Sequence, residues 1–162
     1  MKVIEGGVCA AKGFSANGVH CGIRKNHTKK DLSLIFSSVP GSAAAVYTTN
    51  LVKGAPLTVT KKHLSNGIAQ AVICNSGNAN TCNANGIEIA EEMSALAAKA
   101  LGISPEDMIV ASTGVIGQPL SIDPIAAGLT ELVAGLSPEG GRAAAEGIMT
   151  TDTIRKEVAV EF

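Results

Sequence analysis

Two polar clusters hold the side chains whose types and spacing are best suited to chemistry. The first is Ser112-Thr113-Gly114, which directly follows an apolar run, so that a threonine hydroxyl and a glycine amide could face one ligand. Fixed hydrogen-bond donors of this kind stabilise the oxyanion that develops during acyl transfer by roughly 3–4 kcal/mol. As a bare motif, however, Ser-Thr-Gly is also an ordinary turn, and the cluster by itself names no function.

The second cluster is residues 149–153, with the sequence Met-Thr-Thr-Asp-Thr. Its hydroxyls and its carboxylate could bind a small polar substrate. Without further context, the simpler interpretation is the end of a helix followed by a threonine-rich strand, because threonine favours strands. This cluster does not identify a function either.

The usual signatures of other catalytic classes are absent. The sequence contains no Walker loop, no G-x-G-x-x-G, no H-E-x-x-H and no G-x-S-x-G. None of the 4 cysteines is spaced as C-x-x-C, so we expect no metal site. The length of the chain and the lack of an export segment argue against a disulfide framework, and we expect no cofactor. The 3 histidines lie in polar segments, where we expect surface positions and no general-base role; they are His20, His27 and His63.

Composition sets limits on the partners. A chain of 162 residues with 46% hydrophobic and 17% charged residues predicts a single domain, residues 1–162, with its own core. The formal net charge of −1 and an aromatic content of 2% argue against binding to nucleic acid or to a membrane surface. No export signal or membrane-spanning run is evident, and we expect a cytoplasmic protein.

One local exception to the balanced charge is the basic segment of residues 24–30, Arg-Lys-Asn-His-Thr-Lys-Lys. The simpler interpretation is a solvated loop, and the sequence favours it. The alternative is a site for a phosphate or carboxylate group.

Around these clusters the sequence predicts both strands and helices. Residues 31–39 and 43–49 are rich in strand formers and are separated by Pro40-Gly41, which predicts a hairpin. Residues 68–74 form a continuously apolar third strand, and an elaborate asparagine-rich loop is expected over residues 75–86.

The second half of the chain has helical periodicity over residues 89–101, ended by Gly102. One helical turn at 104–107 should lead into a strand at 108–110. Two more helices are expected, at 123–134 and from the Ser137-Pro138 cap to about 147. Alternation at 158–162 predicts a strand, either an ordinary C-terminal edge strand or part of an interrupted element.

Taken together, these segments resemble the glutamate N-acetyltransferase family of arginine biosynthesis, also called ornithine acetyltransferase. The matching segments occur in order along the whole chain. They are Gly6-Gly7-Val8, Ala11-Lys12-Gly13-Phe14, Lys30-Asp31-Leu32, Ala45-Val46-Tyr47-Thr48-Thr49-Asn50, Val52-Lys53, Ala55-Pro56, and the runs at 75–80, 112–117 and 148–153.

The resemblance implies a mechanism. Family members cleave themselves before a threonine, which then carries acetyl from N-acetylornithine to glutamate in a ping-pong cycle through an acetyl-threonine ester. By the match, Thr113 and Gly114 correspond to the oxyanion hole and Thr150 to a substrate contact, with Thr151 as the alternative. The family includes members that also accept acetyl-CoA, and nothing in this sequence separates the two kinds.

The family's cleavage site and nucleophilic threonine have no counterpart in these residues, so this chain supplies no nucleophile. The resemblance therefore implies most of an N-terminal α chain, inactive by itself, that works with a β chain of the same precursor in a heterotetramer of two α and two β chains. It also implies an α+β fold of αββα type, with mixed sheets layered between helices. The competing hypothesis is a noncatalytic small-molecule binding module with the same fold.

Overall fold

A computed structural model describes every residue from Met1 to Phe162. Six strands and four α-helices account for most of the chain. The strands are β1 (Lys2–Ile4), β2 (Phe14–Val19), β3 (Leu32–Ser42), β4 (Ile68–Asn78), β5 (Met108–Val115) and β6 (Ala159–Glu161). The helices are α1 (Ala55–His63), α2 (Gly86–Leu101), α3 (Asp123–Ala134) and α4 (Gly141–Ile148).

The main sheet has four strands in the order β2-β3-β4-β5. The first two pairs are antiparallel, and β4 and β5 are parallel. A parallel pair needs a long crossover, which α2 provides between these two strands. Strands β1 and β6 form a separate antiparallel ribbon. This mixture of sheets and helices confirms the α+β class.

The main core lies between one face of the sheet and helices α1, α2 and α3. Side chains alternate between the two faces of a strand, so Leu32, Leu34 and Ile73 all point to this side, where each is fully buried. The helices contribute apolar side chains at helical spacing, among them Met93 and Leu132. No helix of the chain is long and apolar enough to cross a membrane.

Helix α4 packs alone on the opposite face, close to the backbone of the sheet. A methyl group at Gly147 would lie 2.1 Å from Ser33 Oγ, so this approach requires glycine. Ser33 Oγ in turn donates a hydrogen bond to the Ala144 carbonyl at 2.8 Å. The apolar cluster on this side is small and consists of Cys9, Ala16 and Ala144, with Ile35 packed against it.

The predicted hairpin at Pro40-Gly41 is wrong. Strand β3 continues through both residues to Ser42, with an irregularity in its pairing to β4 between Phe36 and Gly41. Residues 43–49 form no strand. Beyond Ser37 the strand has no partner in β2, and its pairing with β4 is irregular, so proline and glycine are tolerated there without a reversal of the chain. Turn chemistry by itself therefore misplaced the hairpin.

The sequence did not predict the N-terminal strands β1 and β2. Strand β1 has only three residues, and small residues and glycine hide the alternation in β2. Strand β4 also extends to Asn78, four residues into the expected loop. The helices at 89–101 and 123–134, the stop at Gly102 and the turn before β5 are confirmed, and α2 begins three residues earlier than expected. The last helix begins at Gly141 rather than at the Ser137-Pro138 cap.

The expectation of a surface position is wrong for His63. Its side chain is 3% exposed, its Nδ1 lies 2.9 Å from the Met108 carbonyl, and its Nε2 lies 3.5 Å from Glu91. His20 is half-buried and His27 is exposed. His63 is the last residue of α1 and packs against β5. Its local sequence does not indicate that this strand covers it.

Candidate functional site

The carboxyl ends of the parallel strands β4 and β5 bring polar residues from two parts of the chain together. Ser76 is the register partner of Thr113, and Gly77 is the partner of Gly114. Ligands commonly bind at the carboxyl ends of parallel strands, where loops leave the sheet. The first sequence cluster therefore lies beside the strand end that the sequence had assigned to a loop.

Gly114 is held against the neighbouring strand so closely that no side chain fits. Its φ angle is 134°, and a methyl group there would lie 2.4 Å from the Gly77 carbonyl carbon and 2.6 Å from the Asn78 nitrogen. Contacts under 3 Å with backbone would force the strands apart. Glycine at this position thus keeps the backbone around Thr113 and Gly114 in one fixed geometry.

Thr113 faces the same side of the sheet as α4. Register partners on neighbouring strands project from the same face, and the Ser76 hydroxyl donates to the Gly147 carbonyl in α4 at 2.6 Å. Thr113 is half-buried, and Gly114 is exposed. The Thr113 hydroxyl and the Gly114 backbone are therefore accessible to a small molecule, although the strand that carries them is fixed.

Arg24 joins this strand end to the segment that carries Thr150. Its Nε donates to Ser76 Oγ at 3.2 Å, and its terminal nitrogen donates to the carbonyl of Met149, the residue before Thr150. The guanidinium group offers several donors in one plane, and here it holds two separate segments at once. The structure in this way brings Thr113 and Thr150 to one edge of the same face.

The loop that carries Arg24 is fixed by a buried carboxylate. Asp31 is 0% exposed and accepts hydrogen bonds from the backbone amides of Cys21 at 2.6 Å and Arg24 at 2.8 Å. His20 Nδ1 lies 3.2 Å from the same carboxylate. A buried carboxylate is stable only when several donors satisfy it. The loop amides therefore stabilise Asp31, and Asp31 in turn fixes the conformation of the loop.

Thr150 itself is half-buried, whereas Thr151 is exposed. The Thr150 amide donates to Asp152 Oδ2 at 3.2 Å. The hydrogen bond from Lys156, followed by that from the Thr150 amide, lowers the pKa of Asp152 below its usual range. Asp152 consequently stays ionised at neutral pH and keeps this turn in place.

Three of the four cysteines, Cys9, Cys21 and Cys74, are poor candidates for a nucleophile. Burial, together with the Asp31 charge, raises the pKa of Cys21 to about 12, and burial raises the pKa of Cys74 to about 12. Burial also raises the pKa of Cys9. Because the thiolate is the reactive form, these thiols are inert at neutral pH. No group of three or more His, Cys, Asp or Glu side chains converges to hold a metal ion.

The sequence did not identify Ser76, Arg24 or Asp31 as members of the site. Arg24 was part of the basic segment interpreted as a solvated loop, and Ser76 was assigned to the asparagine-rich loop. Both assignments rest only on the types of the neighbouring residues in the sequence. Their role follows from contacts across 52 and 125 positions of sequence, which periodicity does not reveal.

Comparison with known sequences gives a consistent family match. The ArgJ family model matches residues 15–162. The arginine biosynthesis bifunctional protein ArgJ of Symbiobacterium thermophilum is 54% identical over 164 residues, covering 100% of this chain and 41% of the relative. The protein of the same name from Bacillus anthracis is 46% identical and covers 99% of this chain and 40% of the relative. The chain spans about 40% of the length of these curated relatives.

Two solved structures share the fold. The crystal structure of arginine biosynthesis bifunctional protein ArgJ from Bacillus halodurans has a TM-score of 0.88 at 42% identity, covering 97% of this chain and 83% of that one. The crystal structure of ornithine acetyltransferase complexed with ornithine, from Mycobacterium tuberculosis, has a TM-score of 0.91 at 37% identity, covering 97% and 86%.

Proposed function

The chain belongs to the ArgJ family of acyltransferases, and from this premise we propose that it is the α-chain portion of a glutamate N-acetyltransferase. In this proposal the assembled protein transfers acetyl from N-acetylornithine to glutamate. The observation that carries the proposal is that Arg24 bonds both Ser76, the register partner of Thr113, and the carbonyl of Met149 next to Thr150.

Thr113 and Gly114 form the proposed oxyanion hole. A threonine hydroxyl from the partner chain attacks the acetyl carbonyl of N-acetylornithine, and the tetrahedral oxyanion accepts hydrogen bonds from the Thr113 hydroxyl and the Gly114 amide. The α-amine of the same threonine takes the proton of the attacking hydroxyl and passes it to the amine of ornithine as the C–N bond breaks. Ornithine departs, and an acetyl-threonine ester remains. The glutamate amine then attacks this ester through the same oxyanion geometry, the ester C–O bond breaks, and the threonine oxygen regains a proton from the amine through the α-amine. The products are N-acetylglutamate and the free threonine.

Thr150 is the proposed substrate contact. Its half-buried position beside the Arg24 bridge suits a hydroxyl that orients the substrate, and the exposed Thr151 suits this role less well. The neighbouring Asp152 holds the Thr150 amide, so the hydroxyl is presented from a fixed turn. Positioning of this kind lowers the entropic part of the barrier.

The proposed partner is the β chain of the same precursor, in a heterotetramer of two α and two β chains in the cytoplasm. The second face of the sheet supports a partner, because a groove of about 350 Å³ beside α4 is lined by apolar side chains that this chain covers only in part. These include Ile35, Val72, Cys74 and Ile148. If the assembled protein is bifunctional, acetyl-CoA is its second acetyl donor, and the protein also has amino-acid N-acetyltransferase activity.

The test combines a reading of the coding sequence with an activity assay. DNA beyond the Phe162 codon should continue in frame through a glycine-rich segment and an Ala-Thr or Gly-Thr cleavage step. The protein expressed from the whole frame should transfer labelled acetyl from N-acetylornithine to glutamate, and it should carry an acetyl ester on one threonine. A stop codon directly after Phe162, or an assembled protein that binds ornithine without transfer, would instead support a noncatalytic binding module.

A further inference from the structure

Strand β5, which carries Thr113 and Gly114, is the last strand of the main sheet. The order β2-β3-β4-β5 gives it one neighbouring strand, β4. The side of β5 that faces away from β4, its outer edge, therefore has no strand to pair with its backbone groups. Buried backbone groups need hydrogen-bond partners, so another part of the protein must supply them along this edge.

Helix α1 takes the place of a fifth strand along the first half of the outer edge. The Thr60 hydroxyl donates to the Val110 carbonyl at 2.9 Å and accepts from the Val110 amide at 3.1 Å. His63 Nδ1 lies 2.9 Å from the Met108 carbonyl. Thr60 is buried, with 7% of its surface exposed, and its single hydroxyl satisfies both backbone groups of Val110.

The Gly114 amide lies on this same outer edge. Backbone groups of successive residues in a strand point alternately towards and away from the neighbouring strand. Val110 points away from β4, and by this alternation Gly114 does as well, four residues later. The residue that follows points the other way, because the Val115 carbonyl accepts from the Ala79 amide, just beyond β4, at 2.9 Å. The alternation thus turns the Gly114 amide towards the open side, where an acyl oxygen could meet it.

The cover from α1 ends before the proposed oxyanion hole. Its side-chain hydrogen bonds to the outer edge stop at Val110, and Gly114 is exposed. On the inner side, the backbone of Gly77 limits how Gly114 can move. The bond from Thr60 is therefore the last fixed point of the outer edge before Gly114. A small rotation of the strand at this point would move the amide beyond it, and misplacement by about 1 Å costs much of a catalytic rate.

We propose that Thr60 is a positioning residue of the acetyl-transfer site, which fixes the outer edge of β5 so that the Gly114 amide points at the acyl oxygen. The assignment rests on the proposed function, because it concerns the geometry of the same oxyanion hole. The Thr60 hydroxyl is occupied by Val110, so it acts through the strand and not on the substrate. His63 holds the same edge two residues further from the site.

The test compares variants of the assembled protein by acetyl-transfer kinetics, hydrogen–deuterium exchange and melting temperature. Thr60→Val keeps the shape of the side chain and removes the hydroxyl, whereas Thr60→Ser keeps the hydroxyl. Ser94→Ala controls for stability, because Ser94 is also buried and its hydroxyl donates to the Pro105 carbonyl, outside β5, at 3.0 Å. Thr58→Val controls for the substitution itself, because Thr58 is an exposed threonine of the same helix.

We expect Thr60→Val to lower kcat roughly tenfold at an unchanged KM, and to speed hydrogen exchange in residues 108–115 about fivefold. Thr60→Ser should recover most of kcat, and Thr58→Val should behave like the wild type. Ser94→Ala should lower the melting temperature about as much as Thr60→Val and leave kcat unchanged. A kcat of Thr60→Val equal to that of the wild type would overturn the proposal, as would an equal fall of kcat in Ser94→Ala.

A second variant serves if Thr60→Val does not assemble. Thr60→Ala leaves room for water to satisfy Val110, but the fixed bond to α1 is lost, so kcat should again fall. A wild-type kcat in this variant would overturn the proposal. Exchange is read without turnover and separates the two proposals. Unchanged exchange in residues 108–115 overturns the role of Thr60 whatever the activity, and an inactive wild type overturns the proposed function whatever the exchange.

Discussion

The two faces of the main sheet are built on different principles. On one face, three helices cover a continuous core of 17 buried residues. On the other, the single helix α4 covers a cluster of 3 buried residues, and the remaining surface is half-buried or polar. The hydrogen bonds that join distant segments through Ser33, Ser76 and Arg24 all lie on this second side.

This difference between the two faces indicates that one face stabilises the fold and the other carries the chemistry. An apolar face covered by helices supplies most of the favourable free energy of folding, because burial of apolar surface is the main favourable contribution. A face that is only partly covered can present hydroxyls, backbone amides and cations to a small molecule, and it can accept a partner chain. The predictions below test whether the two faces divide these roles.

The largest difference should come from truncating one isoleucine on each face. Ile73→Ala removes a fully buried side chain from the main core and should lower the free energy of unfolding by about 2–5 kcal/mol. Ile35→Ala removes a half-buried side chain beside α4 and should cost about 1 kcal/mol. Urea unfolding of both variants measures the difference. Equal losses would contradict the division between the faces.

The next effect concerns the fixed backbone at the site. Gly114→Ala places a methyl group 2.4 Å from the Gly77 carbonyl carbon, so we expect a destabilised protein with acetyl transfer lowered by roughly 10²-fold or more. Gly117→Ala is the matched control, because Gly117 also has a positive φ, of 76°, but open space around it. That variant should show only the strain of the left-handed backbone, about 1 kcal/mol. If both variants lose the same stability and the same acetyl-transfer rate, the close approach of Gly114 to Gly77 does not fix the site.

A smaller effect is expected for the bridge made by Arg24. Arg24→Lys keeps the charge but cannot reach Ser76 and Met149 together, so the Thr150 segment should become less well positioned. We expect kcat/KM for N-acetylornithine to fall roughly tenfold, mainly through a higher KM, with little loss of stability. An unchanged KM together with a large fall in melting temperature would assign Arg24 to structure only.

The smallest effect lies on the sealed side, between α1 and α2. The hydrogen bond from Lys62, with the nearby His63, lowers the pKa of Glu91 below its usual 4.5. A lowered pKa stabilises the folded state above the unfolded value and loses this stabilisation as pH falls through the folded value. Since the pair is exposed and screened, Glu91→Gln should cost less than about 1 kcal/mol at pH 7, and the difference from wild type should vanish at acid pH.

The control for this pH dependence is Glu92→Gln, which changes an exposed carboxylate of the same helix that forms no ion pair. It should unfold like the wild type at pH 7. A difference between Glu91→Gln and wild type that persists unchanged below the usual pKa of glutamate would show that charge pairing is not its cause.

The parts of the fold that the sequence predicted well are those with local causes. Periodicity located α2, the helix expected at 123–134 is α3, and Gly102 ends α2 with a left-handed φ of 71°. The irregular stretch of β3 at Pro40 and the strand β2 depend on pairing partners distant in sequence, and local patterns did not indicate them. His63 was misassigned for the same reason, because the strand that buries it lies 45 residues away.

The same distinction applies to the site. Thr113, Gly114 and Thr150 were named from motifs and from the family resemblance, and their roles remain predictions. The geometry adds what no motif contains, namely that Ser76 and Arg24 bring the two clusters to one edge. The basic segment has the local composition of a loop, and only its neutral hydrogen-bond partners reveal that its charge is left uncompensated.

The central claim is that Thr113 stabilises the oxyanion of acetyl transfer on the open face of the sheet. The most direct measurement is the kcat of the assembled protein for transfer from N-acetylornithine to glutamate in the Thr113→Ala and Thr113→Ser variants. Loss of the hydroxyl in Thr113→Ala should lower kcat by roughly 10²–10³-fold without loss of folding, and Thr113→Ser should recover much of the rate. Turnover of Thr113→Ala equal to that of the wild type would contradict the claim.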